Sequence, residues 1–203
     1  MRRFATPLSA LVATLALAAG NASAGQMLVN GSFEANAVGN GSWITTNSLT
    51  GWSTGQLGAE VRNNVAGAAF TGKNFIELDS TGNSWIEQVV HTSANQVLHL
   101  SFAYSPREFV SAGSNGIEVL WNGVSKGTFT GNGGVMGNSW KLYTMDLTAT
   151  GSLSTLRFRA VGVNDSVGGS LDDVQLNVPE PATPAILALG LGMLALFQRR
   201  RKA

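Results

Sequence analysis

The sequence has no cysteine, little charge and no long helical pattern. The absence of cysteine among 203 residues excludes a disulfide scaffold, a thiol nucleophile, an iron–sulfur cluster and a cysteine zinc site. Charged residues make up 12% of the chain, about half of the ~25% usual for a globular protein. The formal net charge of +1 lacks the basic excess of a nucleic-acid binder. Between residues 25 and 178 no window holds a 3.6-residue apolar period for three turns, which excludes a helical bundle there. The only two histidines, His91 and His99, stand on separate stretches without a third ligand, so no zinc set is legible.

What is present is unevenly distributed. Arg2 and Arg3, the uncharged apolar run Leu8 to Ala19, and the small-residue pattern Ala22-Ser23-Ala24 form a signal peptide over residues 1–24, with Ala22 and Ala24 marking cleavage. At the other end, Pro179-Glu180-Pro181 precedes the uncharged stretch Ala182 to Phe197, and Arg199, Arg200, Arg201 and Lys202 follow. A helix over that stretch would span about 24 Å, short of a ~30 Å hydrocarbon core. The terminal cations nevertheless read as a cytoplasmic stop, so a transmembrane helix is expected there and the middle of the chain is translocated.

The three-part order of residues 179–203 resembles the PEP-CTERM sorting signal of Gram-negative bacteria. The resemblance implies that a membrane-embedded exosortase recognises the segment and cuts near Pro179-Glu180-Pro181. The protein would cross the inner membrane, contact it only transiently, and end at the cell surface or in the extracellular matrix. Proteins of this kind accompany exopolysaccharide and biofilm production.

Residues 25–178 remain as one domain, with seven basic and eleven acidic residues and a net charge of −4. No nucleic-acid partner is expected for such a domain. Its patterns are strand-like. Leu98, Leu100, Phe102 and Tyr104 alternate on one face, as do Ile117, Val119 and Trp121, with Asn122-Gly123 as a hairpin turn. Leu156, Phe158 and Ala160 share one face and leave Arg157 and Arg159 on the other. Phe75 to Leu78, Trp85 to Val90, Leu142 to Leu147 and Leu171 to Val178 are further candidates, with a weaker strand around Val61. Gly- and Asn-rich clusters separate them. Eight or nine short strands predict an all-β sandwich. The tetrapeptide Gly-Asn-Ser-Trp occurs at 82–85 and 137–140, each time as a turn leading into a strand.

The segments Leu28-Val29-Asn30-Gly31-Ser32-Phe33-Glu34, Gly51-Trp52, Tyr104-Ser105-Pro106-Arg107, Ile117 to Gly123 and Leu171-Asp172-Asp173-Val174-Gln175-Leu176 together resemble the galactose-binding-like jelly roll of carbohydrate-binding modules. The resemblance implies a structural Ca²⁺ held by Glu34 and Asp172, with Asp173 helping. Strand parity places Asp172 with Val174 and Leu176 on the core face, where a carboxylate needs a partner or a cation; the alternative is that it accepts backbone N–H bonds.

Sugar contacts would come from aromatic faces and polar groups. Trp43, in a Gly/Asn-rich loop, and Trp140, after another, are the expected exposed tryptophans, with Arg107 alongside. Arg107 has an alternative as an internal partner of Glu108 or Glu118. Gly51-Trp52-Ser53-Thr54-Gly55 matches a nucleophile elbow, but no helix is predicted after it. Glu77 and Asp79 on one strand face, with Glu87 nearby, match a glycosidase pair only as any i, i+2 strand pair would; a solvated acidic face is the plainer reading. The expectation is a non-enzymatic exported protein that binds extracellular polysaccharide. A structural matrix protein without ligand and a small glycoside hydrolase are the alternatives.

Overall fold

The computed structural model describes residues 25–179 except Val135; the expected signal peptide, Glu180, Pro181, the apolar stretch and the arginine cluster lie outside the described residues. Eleven strands form two antiparallel sheets, and no helix occurs among the described residues. The strands are β1 (Ser42–Thr46), β2 (Ser53–Thr54), β3 (Ala59–Asn63), β4 (Phe75–Glu77), β5 (Trp85–His91), β6 (Val97–Ser105), β7 (Gly116–Trp121), β8 (Val124–Phe129), β9 (Lys141–Thr148), β10 (Leu153–Val161) and β11 (Ser170–Asn177). The six-stranded sheet runs β1-β3-β4-β11-β6-β9 and the five-stranded sheet β2-β5-β10-β7-β8. This is a jelly-roll sandwich, in agreement with the all-β expectation. Among the described residues no helix is long and apolar enough to cross a membrane.

The alternating patterns build the core as the pleat requires. Leu98, Leu100, Phe102 and Tyr104 of β6 meet Ile117, Val119 and Trp121 of β7 and Leu156, Phe158 and Ala160 of β10 in one buried cluster. Phe102 packs edge-on against Phe158 of the facing sheet, with ring centroids 5.3 Å apart. Asn122 and Gly123, at φ 52° and 77°, form the tight β7–β8 turn that their sequence predicts. Strand β1 departs from expectation: Trp43 lies on an edge strand, not in a loop. Its side chains are mostly exposed, so it lacks the apolar alternation by which a half-buried strand is read.

The C-terminal strand carries the feature that positions everything below. Asp172 pairs with Ala103 and Gln175 with Ser101, so β11 has one residue more than β6 between them. This bulge puts Asp173 at φ 46° and shifts the pleat. Leu171 before it and Val174 and Leu176 after it all face the core. Asp172 therefore points away from the core face, contrary to the parity argument, yet is fully buried.

Freed from β6, the Val174 N–H bonds Gly31 O at 2.9 Å, and Gln26 Nε2 donates to Val174 O at 3.1 Å. Gln26 also pairs with Asn177, which joins the two ends of the domain. A Cβ on Gly31 would lie 1.9 Å from Val174 O, a backbone atom with nowhere to move. Gly31→Ala is expected to lower stability by about 2–3 kcal/mol, read as a fall in thermal midpoint; an unchanged midpoint contradicts this packing.

Candidate functional site

Directly opposed residues in a sheet share a face, so the register lays out the outer side of the six-stranded sheet. One row runs Thr45, Glu60, Glu77, Ser170, Ser105. The next contains Trp43, Arg62 and Phe75 at one end and Asp172, Ala103 and Leu142 at the other.

Most of the charge in these rows is buried and paired, although Arg62 Nη1 is left without a partner. Arg62 bonds Glu60 through Nε and Glu77 through Nη2, the latter at 2.6 Å. Arg107 Nη1 reaches both oxygens of Glu77 at 3.2 Å, and the Gly168 N–H donates to Glu77 Oε1 at 2.7 Å. Two carboxylates meet two guanidinium groups. Arg107 is thus an internal ion-pair residue, with Glu77 as its partner; Glu108 instead accepts from the Gly137 N–H and Glu118 from Arg159.

The expected solvated acidic face does not exist, because Glu77 and Asp79 are both fully buried. Nor does a Glu77–Glu87 pair form, since Glu87 lies on the other sheet and bonds Arg157 at 2.5 Å. Ser53 sits on the short strand β2, and the described residues after it form no helix, so the nucleophile-elbow reading ends there.

The two carboxylates expected to hold Ca²⁺ act on one loop, residues 66–74. Asp172 Oδ2 accepts the N–H groups of Phe70 and Thr71 at 2.8 and 2.9 Å, and its Oδ1 accepts that of Asp173 at 2.6 Å. Glu34 Oε1 accepts the N–H groups of Lys73 and Asn74 at 2.8 and 2.7 Å. Asp173 turns away and accepts from Gln175 Nε2. The set does not fit a cation: donors point at these oxygens, and among the described residues no three Asp, Glu, His or Cys side chains gather round one point. At Gly72, φ 64°, a Cβ would fall 2.5 Å from Glu34 Oε1, so glycine is what lets the clamp close.

Trp140 holds the same loop from below. Its Nε1–H donates to Ala68 O at 2.9 Å, and Asn138 Nδ2 donates to the same carbonyl at 2.9 Å. Its ring packs edge-on against Phe70 and Phe75. Trp140 is therefore a half-buried support. Trp43, by contrast, is 53% exposed.

The clamped loop forms one wall of a cleft of about 370 Å³, lined by Val38, Asn40, Asn63, Asn64, Ala68, Ala69, Gly72 and Lys73. That volume falls in the range of small-ligand sites, ~300–1,000 Å³. Asn64 Nδ2 donates to Asn40 Oδ1 at 2.5 Å and Asn63 Nδ2 to Val38 O at 2.9 Å, which fixes the three amides. Trp43 is on the adjoining strand β1 but does not line the cleft; it pairs with Arg62, so the pleat turns it to the face opposite Asn63. A second recess shares Val38 and Lys73 and continues over Glu34, Ala37 and Gly39. The amides and Lys73 were not singled out in the sequence, where Asn40 read as part of an ordinary Gly/Asn-rich turn.

Comparison with known proteins fits this architecture. Residues 177–202 match the PEP-CTERM protein-sorting motif. A family 16 carbohydrate-binding module superposes with a TM-score of 0.50 at 14% identity, covering 74% of this chain and 98% of the module. A cyclase from Fischerella sp. TAU superposes with a TM-score of 0.54 at 16% identity, covering 77% and 98%. Both share the fold. In sequence, 149 residues are 31% identical to part of a multifunctional-autoprocessing repeats-in-toxin of Vibrio vulnificus and 30% identical to that of Vibrio cholerae. The match takes in 73% of this chain but 3% of each toxin. The chain is a jelly-roll domain of the architecture used by carbohydrate-binding modules, and it carries a PEP-CTERM sorting motif.

Burial pushes Asp172 up to about 7, against the pull of its three backbone N–H donors. Burial also pushes Glu77 upward, but Arg62 and Arg107 oppose it and Glu77 is their ion-pair partner. At Asp172 the native state therefore holds a proton that the unfolded chain, with a carboxyl pKa near 4, has released. Stability falls as pH rises from about 4 to about 7 and levels off above. The thermal midpoint should be several degrees higher near pH 5.5 than near pH 7.5, with a shallower slope in Asp172→Asn; a midpoint that rises over that interval contradicts the assignment.

Proposed function

We propose that this protein is an exported sugar-binding module that recognises glycan at the asparagine-lined cleft and the neighbouring edge of β1, and is processed by an exosortase at its C-terminal motif. The cleft lined by Asn40, Asn63 and Asn64 carries this reading, with the exposed Trp43 ring on the neighbouring edge strand as a second contact surface. An indole left in water at an edge strand offers a flat apolar face to sugar C–H groups. Amides supply both donors and acceptors to hydroxyls, and Asn40, Asn63 and Asn64 are already oriented by their own bonds. Lys73 adds an exposed cation at the rim, held by the Glu34 clamp.

The domain acts by binding rather than by catalysis. The carboxylates of the sheet face are locked to arginines, which supports a structural role for them. Extracellular polysaccharide is the expected ligand, and the cell surface or surrounding matrix the place of action, in keeping with the sorting motif. Such a site binds individual sugars weakly and gains from repeated presentation along a polymer.

A polysaccharide pull-down followed by glycan-array binding tests this reading. Trp43→Ala should reduce retention about tenfold or more while leaving the thermal midpoint within about one degree, because the side chain packs on little. Trp140→Ala should lower both, since it removes the loop's support. Silence of the wild-type chain across neutral and acidic glycans would leave the structural-matrix reading in its place. Release of reducing sugar by the purified protein would make it a hydrolase.

A further inference from the structure

The hairpin joining β4 to β5, Asp79 to Ser84, holds a surplus of buried oxygen acceptors. Asp79 and Asn83 face each other as an isolated antiparallel pair, so their side chains lie on the same side of the hairpin. Asp79 is 0% exposed. The N–H groups of Asp165, at 3.3 Å from Oδ2, and of Ser166 act on its carboxyl, and its Oδ1 has no close hydrogen-bond partner. Asn83 donates through Nδ2 to Gly162 O at 3.1 Å, which fixes its Oδ1 as an acceptor; that atom also has no partner. The shielded hydroxyls of Ser80 and Ser84 are unpartnered too.

Asp165 reaches the hairpin from the exposed β10–β11 loop, with Oδ2 accepting from Ser114 Oγ at 2.7 Å. The charged group that acts on Asp79 is this second carboxylate, and no lysine or arginine offsets it. A buried carboxylate oxygen and a buried amide oxygen without donors, beside a like charge, are costly unless something electropositive lies between them. Carboxylate, amide and hydroxyl oxygens are hard ligands, and a loop supplying several of them with nearby carbonyls suits the larger, less demanding of the two common hard divalent cations.

We propose that the Asp79–Ser84 hairpin, closed by Asp165, binds a single Ca²⁺ ion. The ligating side chains are Asp79, Ser80, Asn83 and Asp165. The site is separate from Glu34 and Asp172, whose oxygens are occupied by N–H groups, and it does not depend on sugar binding at the asparagine-lined cleft. Its ion would tie the β4–β5 hairpin to the β10–β11 loop. That loop also supplies the Gly168 N–H to Glu77 and Ser166 O to Arg107, so the buried ion-pair cluster would be steadied from the same end.

The test uses the full-length chain, stripped with chelator and titrated with CaCl₂ by calorimetry and thermal melting. Wild type should bind one Ca²⁺ saturably, and its midpoint should rise with calcium concentration as binding to the native state requires. Asp165→Asn, an exposed change, should weaken the affinity about tenfold or more. Asp79→Asn should remove the calcium response and, in chelator, melt no lower than wild type, because it deletes a buried charge without a counter-ion. Glu34→Gln and Asp172→Asn should keep the response. No binding at millimolar calcium overturns the proposal. So does a response that survives Asp165→Asn and Asp79→Asn but disappears in Glu34→Gln.

Discussion

The structure turns on one carboxylate. Asp172 sits at a bulge in β11, buried on the side of the sheet away from the core, and accepts the N–H groups of Phe70, Thr71 and Asp173. Without the bulge, the regular pleat would pair Val174 with β6 and leave no donor for Gly31 O. With it, the last strand holds the N-terminal segment through Val174 and the 66–74 loop through Asp172. Glu34, only three residues from Gly31, then takes the far end of the same loop. The two carboxylates act as the opposite jaws of a clamp, and the wall of the asparagine-lined cleft is what they grip.

This arrangement explains how a cysteine-free exported domain fixes its loops. Each long connection is tied by side chains that bond the backbone of a different segment. Asn74 Nδ2 bonds Phe33 O and Asn36 O, and Asn115 Nδ2 serves the carbonyls of Val110, Ser111 and Gly131. The two Gly-Asn-Ser-Trp turns use the same device: Asn83 donates to Gly162 O and Asn138 to Ala68 O. Each such bond satisfies a carbonyl that a loop would otherwise leave without a partner, and each costs little side-chain entropy because an asparagine has few rotatable bonds. The abundance of asparagine, which in sequence marks only turns, is the cross-linking chemistry of the domain.

Much of the framework was legible because period-2 alternation survives wherever one face of a strand is buried. Strands β6, β7 and β10 were read with their core residues, and Asn122-Gly123 with its turn. The reading broke where burial is two-sided or absent. Strand β3 buries Glu60 and Arg62 on one face and Ala59 and Val61 on the other, so it shows little alternation. Strand β1 is exposed and shows none. Asp172 was assigned to the wrong face because a bulge leaves no mark in composition. Glu77 was taken for a surface acid because its counter-ions, Arg62 and Arg107, lie 15 and 30 residues away in sequence. Glu34 and Asp172 were singled out as cation ligands and Trp140 as an exposed sugar contact; their meeting on one loop depends on long-range packing that no local pattern encodes.

The two outer faces of the sandwich differ in what they leave available. The five-stranded sheet presents a recess near Glu87 and Arg157, but the two bond each other, and the Arg157 guanidinium also stacks on Trp85 at 4.3 Å. A ligand there would have to break an ion pair and a cation–π contact to be recognised. The six-stranded sheet has its charges neutralised and roofed over. The rim by β1 has the exposed Trp43 ring near amides whose orientation is already set. A rim of that kind favours ligands whose polar groups are neutral, closely spaced and both donating and accepting, because asparagine matches hydroxyls atom for atom and offers no charge to an anion. Lys73 alone adds a cation, and it stands at the edge of the cleft, where solvent screens it. For the proposed sugar-binding role, selectivity would therefore lie in hydroxyl pattern, with charge in the ligand a secondary influence.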